Sequence, residues 1–341
     1  MIMRNVHGLV SRFYRLIARA PPVHYEVCGS EMKIQTENVI RRRLKPDRVI
    51  AALEEAFRDR YLGAEMPART HLDLAGGAFL IMSCYDRPRN ALGIKLVIVR
   101  HRPDQSDNRV RAIYMLLDTA SGFPKAIMSA DYMTDLRTAA VSAIATKSLA
   151  REDARTLGIF GTGRQAAAHA RVLPCVRRFS RFLVCGSNMS RSLEFAKRMS
   201  TEFGIPVESV DARTCVTESD VLCTCTTATE PLFDGNLIRP GTHLNLVGAF
   251  QPNAREVDDI TITRARVVVD TYDGALREAG DLLIPMGKGL ILKTHLLADL
   301  HELVSEQKAG RTAAADITVF KSVGCCFEDL VTAELMANTS V

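Results

Sequence analysis

The sequence predicts an α/β protein of two parts, a mixed α/β unit and, after about Asp153, a doubly wound unit built on a parallel sheet. Three observations predict it. Helical and strand-like stretches follow no regular alternation in the first part. Short apolar strands alternate with helical segments in the second. Between the two kinds of pattern, "TLGIFGTGRQAAAHA" runs from an apolar strand through a glycine turn into a helix.

Residues 1–34 stand apart in composition. "MIMRNVHGLVSRFYRLIARAPP" carries Arg4, Arg12, Arg15 and Arg19 with no acid, and Val6, Val10, Phe13 and Ile17 recur at helical spacing. The apolar centre is too short for a secretion signal, and although organelle transit peptides have similar compositions, the segment reads as a simple basic extension or an early start codon. From Pro46, "PDRVIAALEEAFRDRYLG" places Val49, Ile50, Leu53 and Phe57 on one face of a helix ending at Gly63. Strand patterns follow in "GAFLIMSCYD", "LGIKLVIVR" and "RAIYMLLDTASGFPKAIMSA", the last with an "SGFP" turn that implies antiparallel pairing. "TDLRTAAVSAIATKSLA" reads as a long Ala-rich helix capped by Thr134 or Asp135.

In the second part "TLGIF", "RFLVCG", "VLCTCTT", "THLNLVGA" and "ARVVVD" supply buried strands, with helices after the glycine turn and over "SRSLEFAKRMSTEF". In the turn, Gly161 permits tight reversal, Gly163 lets backbone approach a pyrophosphate and Ala166 allows helix and sheet to pack closely. The amides of the following helix then face a phosphate at the positive end of the dipole. This is a dinucleotide site of the Rossmann type. The next strand ends in "CGSNMSRS", where an Asp or Glu would favour a free ribose 2′-hydroxyl. Ser187, Asn188, Ser190 and Arg191 stand there instead, donors suited to a 2′-phosphate. NADP(H) is therefore favoured, with NAD(H) possible.

Composition excludes several classes. No run reaches the roughly 18 apolar residues of a membrane span, and the net charge of +5 gives no reason to invoke nucleic acid or a membrane surface. Nine cysteines without metal-ligand spacing read as reduced, mostly buried thiols of a cytoplasmic protein, with no metal site.

From about residue 38 onward the chain resembles the ornithine cyclodeaminase/μ-crystallin family. The resemblance is carried by Arg69 in "MPARTHL", Met82 and Lys95 in "LIMSCYDRPRNALGIKLV", "LRTAAVSAIATKSLA" around Arg137, the glycine turn, "GTHLNLVGAFQPNAREVD", "ARVVVDTYDGALREAGDL" and "VFKSVGCCFEDLVTAELM". It implies a Rossmann-type dinucleotide domain, residues 139–320, inserted into a mixed α/β substrate-binding and dimerisation domain, residues 35–138 and 321–341. The site of such proteins lies where the nicotinamide meets an amino-acid-like substrate, and the protein is expected to be a homodimer. By the same resemblance Arg69, Lys95 and Arg137 are the cations that grip a substrate α-carboxylate. Such a cluster gives charge-assisted bonds that orient the α-carbon, and Lys95 is also the candidate proton donor. Met82 and Val323 join the substrate set. Arg164, Gln165, Thr226, Val247, Gly248, Ala249 and Ser322 match cofactor positions.

The pattern departs at one place. Where the cyclodeaminases carry an Asp after the Val-Gly-Ala-like triplet and a Lys after the Pro, this chain has Phe250 and Ala254. A phenyl ring neither accepts a proton nor holds an ammonium by charge. The expected activity is therefore NAD(P)H-dependent reduction of the C=N bond of an imino acid, a cyclic ketimine or an amino-acid or opine-type imine, with Phe250 beside an uncharged skeleton. The alternatives are an ornithine cyclodeaminase-type lyase using bound NAD, and a crystallin-like NADPH or ligand binder without turnover.

Overall fold

A computed structural model describes residues 23–27, 30–100 and 110–339; the helical spacing expected over Val6 to Ile17 lies outside them. The chain divides into two compact units, residues 1–137 with 325–341, and residues 138–324.

The first unit opens with strands β1 (Val23–Val27) and β2 (Ser30–Gln35), helices α1 (Glu37–Arg43) and α2 (Pro46–Asp59), and then strands β3 (Ala64–Glu65), β4 (Thr70–Leu74), β5 (Gly77–Asp86), β6 (Ala91–Arg100), β7 (Val110–Leu117) and β8 (Pro124–Ser129). The basic extension expected over 1–34 is corrected only where residues are described, at 23–27 and 30–34. Residues 23–27 and 30–34 are strand, paired in the sheet order β1-β2-β8-β7-β6-β5-β3, with β4 on β5. Only β2 with β8 is parallel; every other pair is antiparallel. Pro46 starts α2 at a position that needs no N–H. The four apolar residues of its expected face, Val49, Ile50, Leu53 and Phe57, are all buried.

Helix α3 (Asp131–Leu149) begins three to four residues before the caps read from sequence. Thr134 N–H donates to Ala130 O, so Thr134 and Asp135 lie inside the helix. Asp131 provides the anchoring, with its carboxylate accepting from Ala112 N–H at 2.8 Å and from Arg111 at 2.9 Å at the positive end of the helix dipole.

The second unit alternates β9 (Thr156–Phe160), α4 (Arg164–Val172), β10 (Arg181–Cys185), α5 (Met189–Phe203), β11 (Val207–Ser209), α6 (Ala212–Glu218), β12 (Val221–Thr224), β13 (His243–Leu246), α7 (Asp259–Arg264), β14 (Ala265–Val269), α8 (Tyr272–Glu278), α9 (Gly280–Gly287), β15 (Leu296–Asp299), α10 (Leu300–Val304) and β16 (Ile317–Lys321). All eight strands are parallel, in the order β11-β10-β9-β12-β13-β16-β14-β15. The order reverses between β9 and β12, the switch point beyond whose carboxyl ends such sheets bind ligands. The strands are near-continuous apolar runs because a parallel sheet is buried on both faces.

The boundary expected at Lys321 falls later. Lys321 ends β16, Ser322 to Gly324 stay with the second unit, and the chain rejoins the first at Cys325. There helix α11 (Cys326–Asn338) packs on α2 and on β5, β6 and β7, with Phe327 edge-on to Phe57, ring centroids 5.5 Å apart.

Candidate functional site

In the first unit the pleat brings two candidate positions, Met82 and Lys95, into one row with Tyr114. Lys95 on β6 pairs across with Met82 on β5 and with Tyr114 on β7, and all three side chains are buried. Tyr114 fits because Gly93, next but one to Lys95, has no Cβ to meet the phenol. A buried ammonium needs a partner, and α11 supplies it. Lys95 Nζ lies 2.6 Å from Asp329 Oδ2, Arg137 Nε donates to Asp329 Oδ1 at 3.1 Å, and Arg137 Nη1 donates to Glu328 Oε2 at 2.5 Å. Arg137 comes from α3, so three secondary-structure elements meet in one buried ion cluster.

The electrostatics follow from burial. Desolvation lowers the Lys95 pKa to about 8, with Asp329 opposing the fall and the charges of Arg137 and Arg69 adding to it. Burial would also lower Arg137, but Asp329 and Glu328 outweigh it and hold that guanidinium above its ordinary value. Arg69, half-buried just ahead of β4, is thus near enough to act on Lys95. The structure brings Met82, Lys95 and Arg137 together, and the charge of Arg69 reaches Lys95. The sequence reading missed the two acids that organise it, although Glu328 and Asp329 side by side among Phe327, Leu330 and Val331 signal buried cationic partners.

In the second unit the glycine turn has the form a dinucleotide needs. Gly161 has φ +111°, and a Cβ there would stand 2.5 Å from Cys225 O, just past the end of the neighbouring strand β12. Gly163 caps α4 with no side-chain hydrogen bond to the first turn, and a Cβ there would meet no atom within 4 Å. Packing inside the chain therefore does not require glycine at 163, whereas a phosphate approaching uncapped amides does. Arg164 and Gln165 open the helix, and Ala166 is buried against the sheet. At the end of β10, Ser187, Asn188 and Arg191 are exposed. Asn188 is first of all a helix cap, its side chain accepting from Arg191 N–H at 3.0 Å.

Several expected cofactor residues turn out to be engaged by buried carboxylates. Glu256, fully buried, accepts from Thr224 Oγ1, Thr226 N–H, Thr226 Oγ1 and Gly248 N–H at 2.7–2.8 Å. Gly248 is glycine because a Cβ would strike Glu256 and Thr226 O. Lys321 Nζ donates to Ala249 O at 2.6 Å and pairs with Asp281 at 2.8 Å, and Asp281 accepts from the Glu256 and Val257 amides. Asp270 likewise accepts from Ser322 Oγ, Val323 N–H and Gly324 N–H. Ser322 and Thr226 thus spend their hydroxyls inside the protein. Val247 continues β13, its N–H donating to Thr224 O. Phe250 is 40% exposed beyond Ala249, and Val323 packs on the core. Asp270, Asp281 and Lys321 were not anticipated, since their partners lie tens of residues away in sequence.

Among the described residues no group of His, Cys, Asp and Glu forms a metal site, eight cysteines are free, and no helix is long and apolar enough to cross a membrane.

Comparison with known proteins adds independent findings. The model of the ornithine cyclodeaminase/mu-crystallin family matches residues 30–340. A Delta(1)-pyrroline-2-carboxylate reductase of Bacillus cereus is 34% identical over 91% of this chain and 97% of its own length. The ketimine reductase mu-crystallin of Rattus norvegicus is 34% identical over 81% of this chain and 86% of its own. Among solved structures, Thermococcus litoralis Delta(1)-pyrroline-2-carboxylate reductase in complex with NADH and L-proline superposes with TM-score 0.85 at 37% identity, covering 88% of this chain and 94% of that one. An archaeal alanine dehydrogenase dimer with bound NAD gives TM-score 0.84 at 28% identity, over 91% and 95%.

Proposed function

The chain belongs to the ornithine cyclodeaminase/mu-crystallin family, and from that premise we propose that it is an NAD(P)H-dependent oxidoreductase that reduces the C=N bond of an imino acid, with a cyclic ketimine such as pyrroline-2-carboxylate as the type of substrate. The observation that carries this reading is the buried cluster at Lys95, where Arg137 and Arg69 both bear on the ammonium. Asp329 and Glu328 balance two of the three cations, so one net positive charge is left for a substrate carboxylate, which the Arg137 guanidinium and the Lys95 ammonium would orient. When bound, the reduced cofactor supplies a hydride, one proton with two electrons, to the imine carbon. Lys95 gives its proton to the imine nitrogen, so that C=N becomes CH–NH and the ammonium is restored from solvent. A pKa near 8 keeps Lys95 charged at neutral pH yet able to part with the proton. Phe250 supports this reading over ammonia loss, because it leaves no acid at that point of the loop.

The finer assignments rest on single features. NADP(H) is the preferred cofactor, supported by Ser187, Asn188, Ser190 and Arg191 at the end of β10. The first unit is the substrate-binding and dimerisation domain, and the second binds the cofactor. A homodimer is supported by the half-buried row Ile94, Leu96, Ile98, Ile113 and Met115 on β6 and β7, which alternates with the inward side chains. Free thiols fit a cytoplasmic location.

The test is NADPH and NADH oxidation by the purified chain with pyrroline-2-carboxylate, piperideine-2-carboxylate and keto acid plus amine. Turnover with a cyclic ketimine is expected. No oxidation across the panel, or ornithine converted to proline without net cofactor use, would replace the proposal.

A further inference from the structure

Among the buried charges outside the carboxylate-binding cluster, Glu256 and Asp270 each accept four hydrogen bonds, and imine reduction gives Glu256 no role. Its two oxygens take two backbone and two hydroxyl donors, and the two amides have nothing to offer but protons. Full burial raises its pKa above the ordinary carboxylate value and Asp281 adds to the rise, while Lys321 and the hydroxyls of Thr224 and Thr226 favour the ionised form. With Asp281 and Lys321 also fully buried, two carboxylates face one ammonium, so the network carries one net negative charge in its ionised form.

Its place in the sheet gives that charge a purpose. The pyrophosphate cradle follows β9, and the 2′-phosphate donors follow β10. The remaining half of an extended dinucleotide therefore reaches the other way across the switch point, over the carboxyl ends of β12 and β13. Glu256 ties those ends together through Thr224, Thr226 and Gly248.

We infer that Glu256 is an electrostatic and positioning residue for the nicotinamide half of the cofactor, holding the Gly248–Ala249 backbone in place and favouring the positive charge of the oxidised ring over the neutral reduced one. The inference rests on the proposed use of NAD(P)(H). A bound nicotinamide would turn from neutral to cationic in imine reduction, and the fixed anion of Glu256 beneath the loop would favour that change. Glu256 touches neither substrate nor cofactor in this account.

The experiment is equilibrium binding of NADP+ and NADPH, with no imino acid present, to the wild-type chain, Glu256→Gln and Thr224→Val, NADPH by fluorescence and NADP+ by competition. Glu256→Gln is expected to weaken NADP+ relative to NADPH by roughly tenfold, the order for one unit charge about 12 Å away at an effective dielectric near 20. Thr224→Val keeps the carboxylate but removes one donor, and should move the ratio the same way by a smaller factor. Should the first variant not fold, the second decides alone. Equal weakening of both forms, or an unchanged ratio, overturns the inference. A chain that shows the ratio change but reduces no imino acid sinks the proposed activity and leaves this inference standing.

Discussion

Lys95 Nζ and Asp329 Oδ2 stand 2.6 Å apart, on a strand and a helix separated by more than two hundred residues of chain, with both side chains buried. Burial lowers the Lys95 pKa and Asp329 opposes that fall, leaving it at about 8. If Lys95 donates the proton, kcat/KM for imine reduction falls as pH rises through about 8. Asp329→Asn removes the partner that keeps Lys95 charged, so the alkaline limb moves to lower pH and the rate at neutral pH drops by roughly tenfold or more. Lys95→Arg abolishes the limb altogether. A pH profile of kcat/KM for the three proteins checks this, and an unmoved limb in Asp329→Asn removes Lys95 from the role.

The two glycines of the turn separate folding from binding. Gly161→Ala places a side chain at φ +111° and 2.5 Å from Cys225 O, and is expected to lower stability by about 1–3 kcal/mol. Gly163→Ala meets no protein atom, so its melting temperature stays near that of the wild type while its affinity for the dinucleotide falls. Thermal melts paired with cofactor titrations distinguish the two.

The groups to which the proposal assigns cofactor choice are exposed at the end of β10. Arg191→Ala is expected to raise the KM for NADPH about tenfold, with that for NADH little changed, since a 2′-phosphate loses a charge-assisted bond worth on the order of 1–3 kcal/mol. Ser187→Asp should go further and turn the preference toward NADH. Steady-state kinetics with both cofactors give the answer, and equal effects on the two would assign Arg191 to the helix alone.

Two buried histidines predict the acid limit of stability. Burial lowers His169 to about 4 and His243 to about 3, against an unfolded value near 6.5. Below that value the unfolded chain takes up protons that the folded chain refuses, so stability declines as pH falls from about 6.5 toward 4. His169→Gln, losing the titration but keeping a polar group opposite Ser142 Oγ, should flatten part of that slope in denaturant melts.

How much of this was legible depends on the range of the interaction. Periodicity shows the buried face of α2, because Val49, Ile50, Leu53 and Phe57 repeat every three to four residues. The parallel sheet shows itself as apolar runs, and the glycine turn carries its backbone requirement in its residue types. Strands β1 and β2 escaped because "VHYEV" and "SEMKIQ" are short, polar and adjoin a basic stretch, and their strand character comes from pairing with each other and with β8. The start of α3 escaped because Asp131 is anchored to Ala112 on another strand. The cations of the candidate site were found through resemblance. Their carboxylate partners, like the donors around Glu256, depend on contacts that only the folded chain makes.

The place of β16 bears on how the molecule is made. The last strand of the second sheet enters between β13 and β14, so a nascent chain holds a gap in that sheet until residues 317–321 have left the ribosome. The second unit therefore cannot close its core during most of synthesis. A chain truncated before Ile317 would leave β14 and β15 with no bonded route to β13, stranding them as an exposed pair open to aggregation.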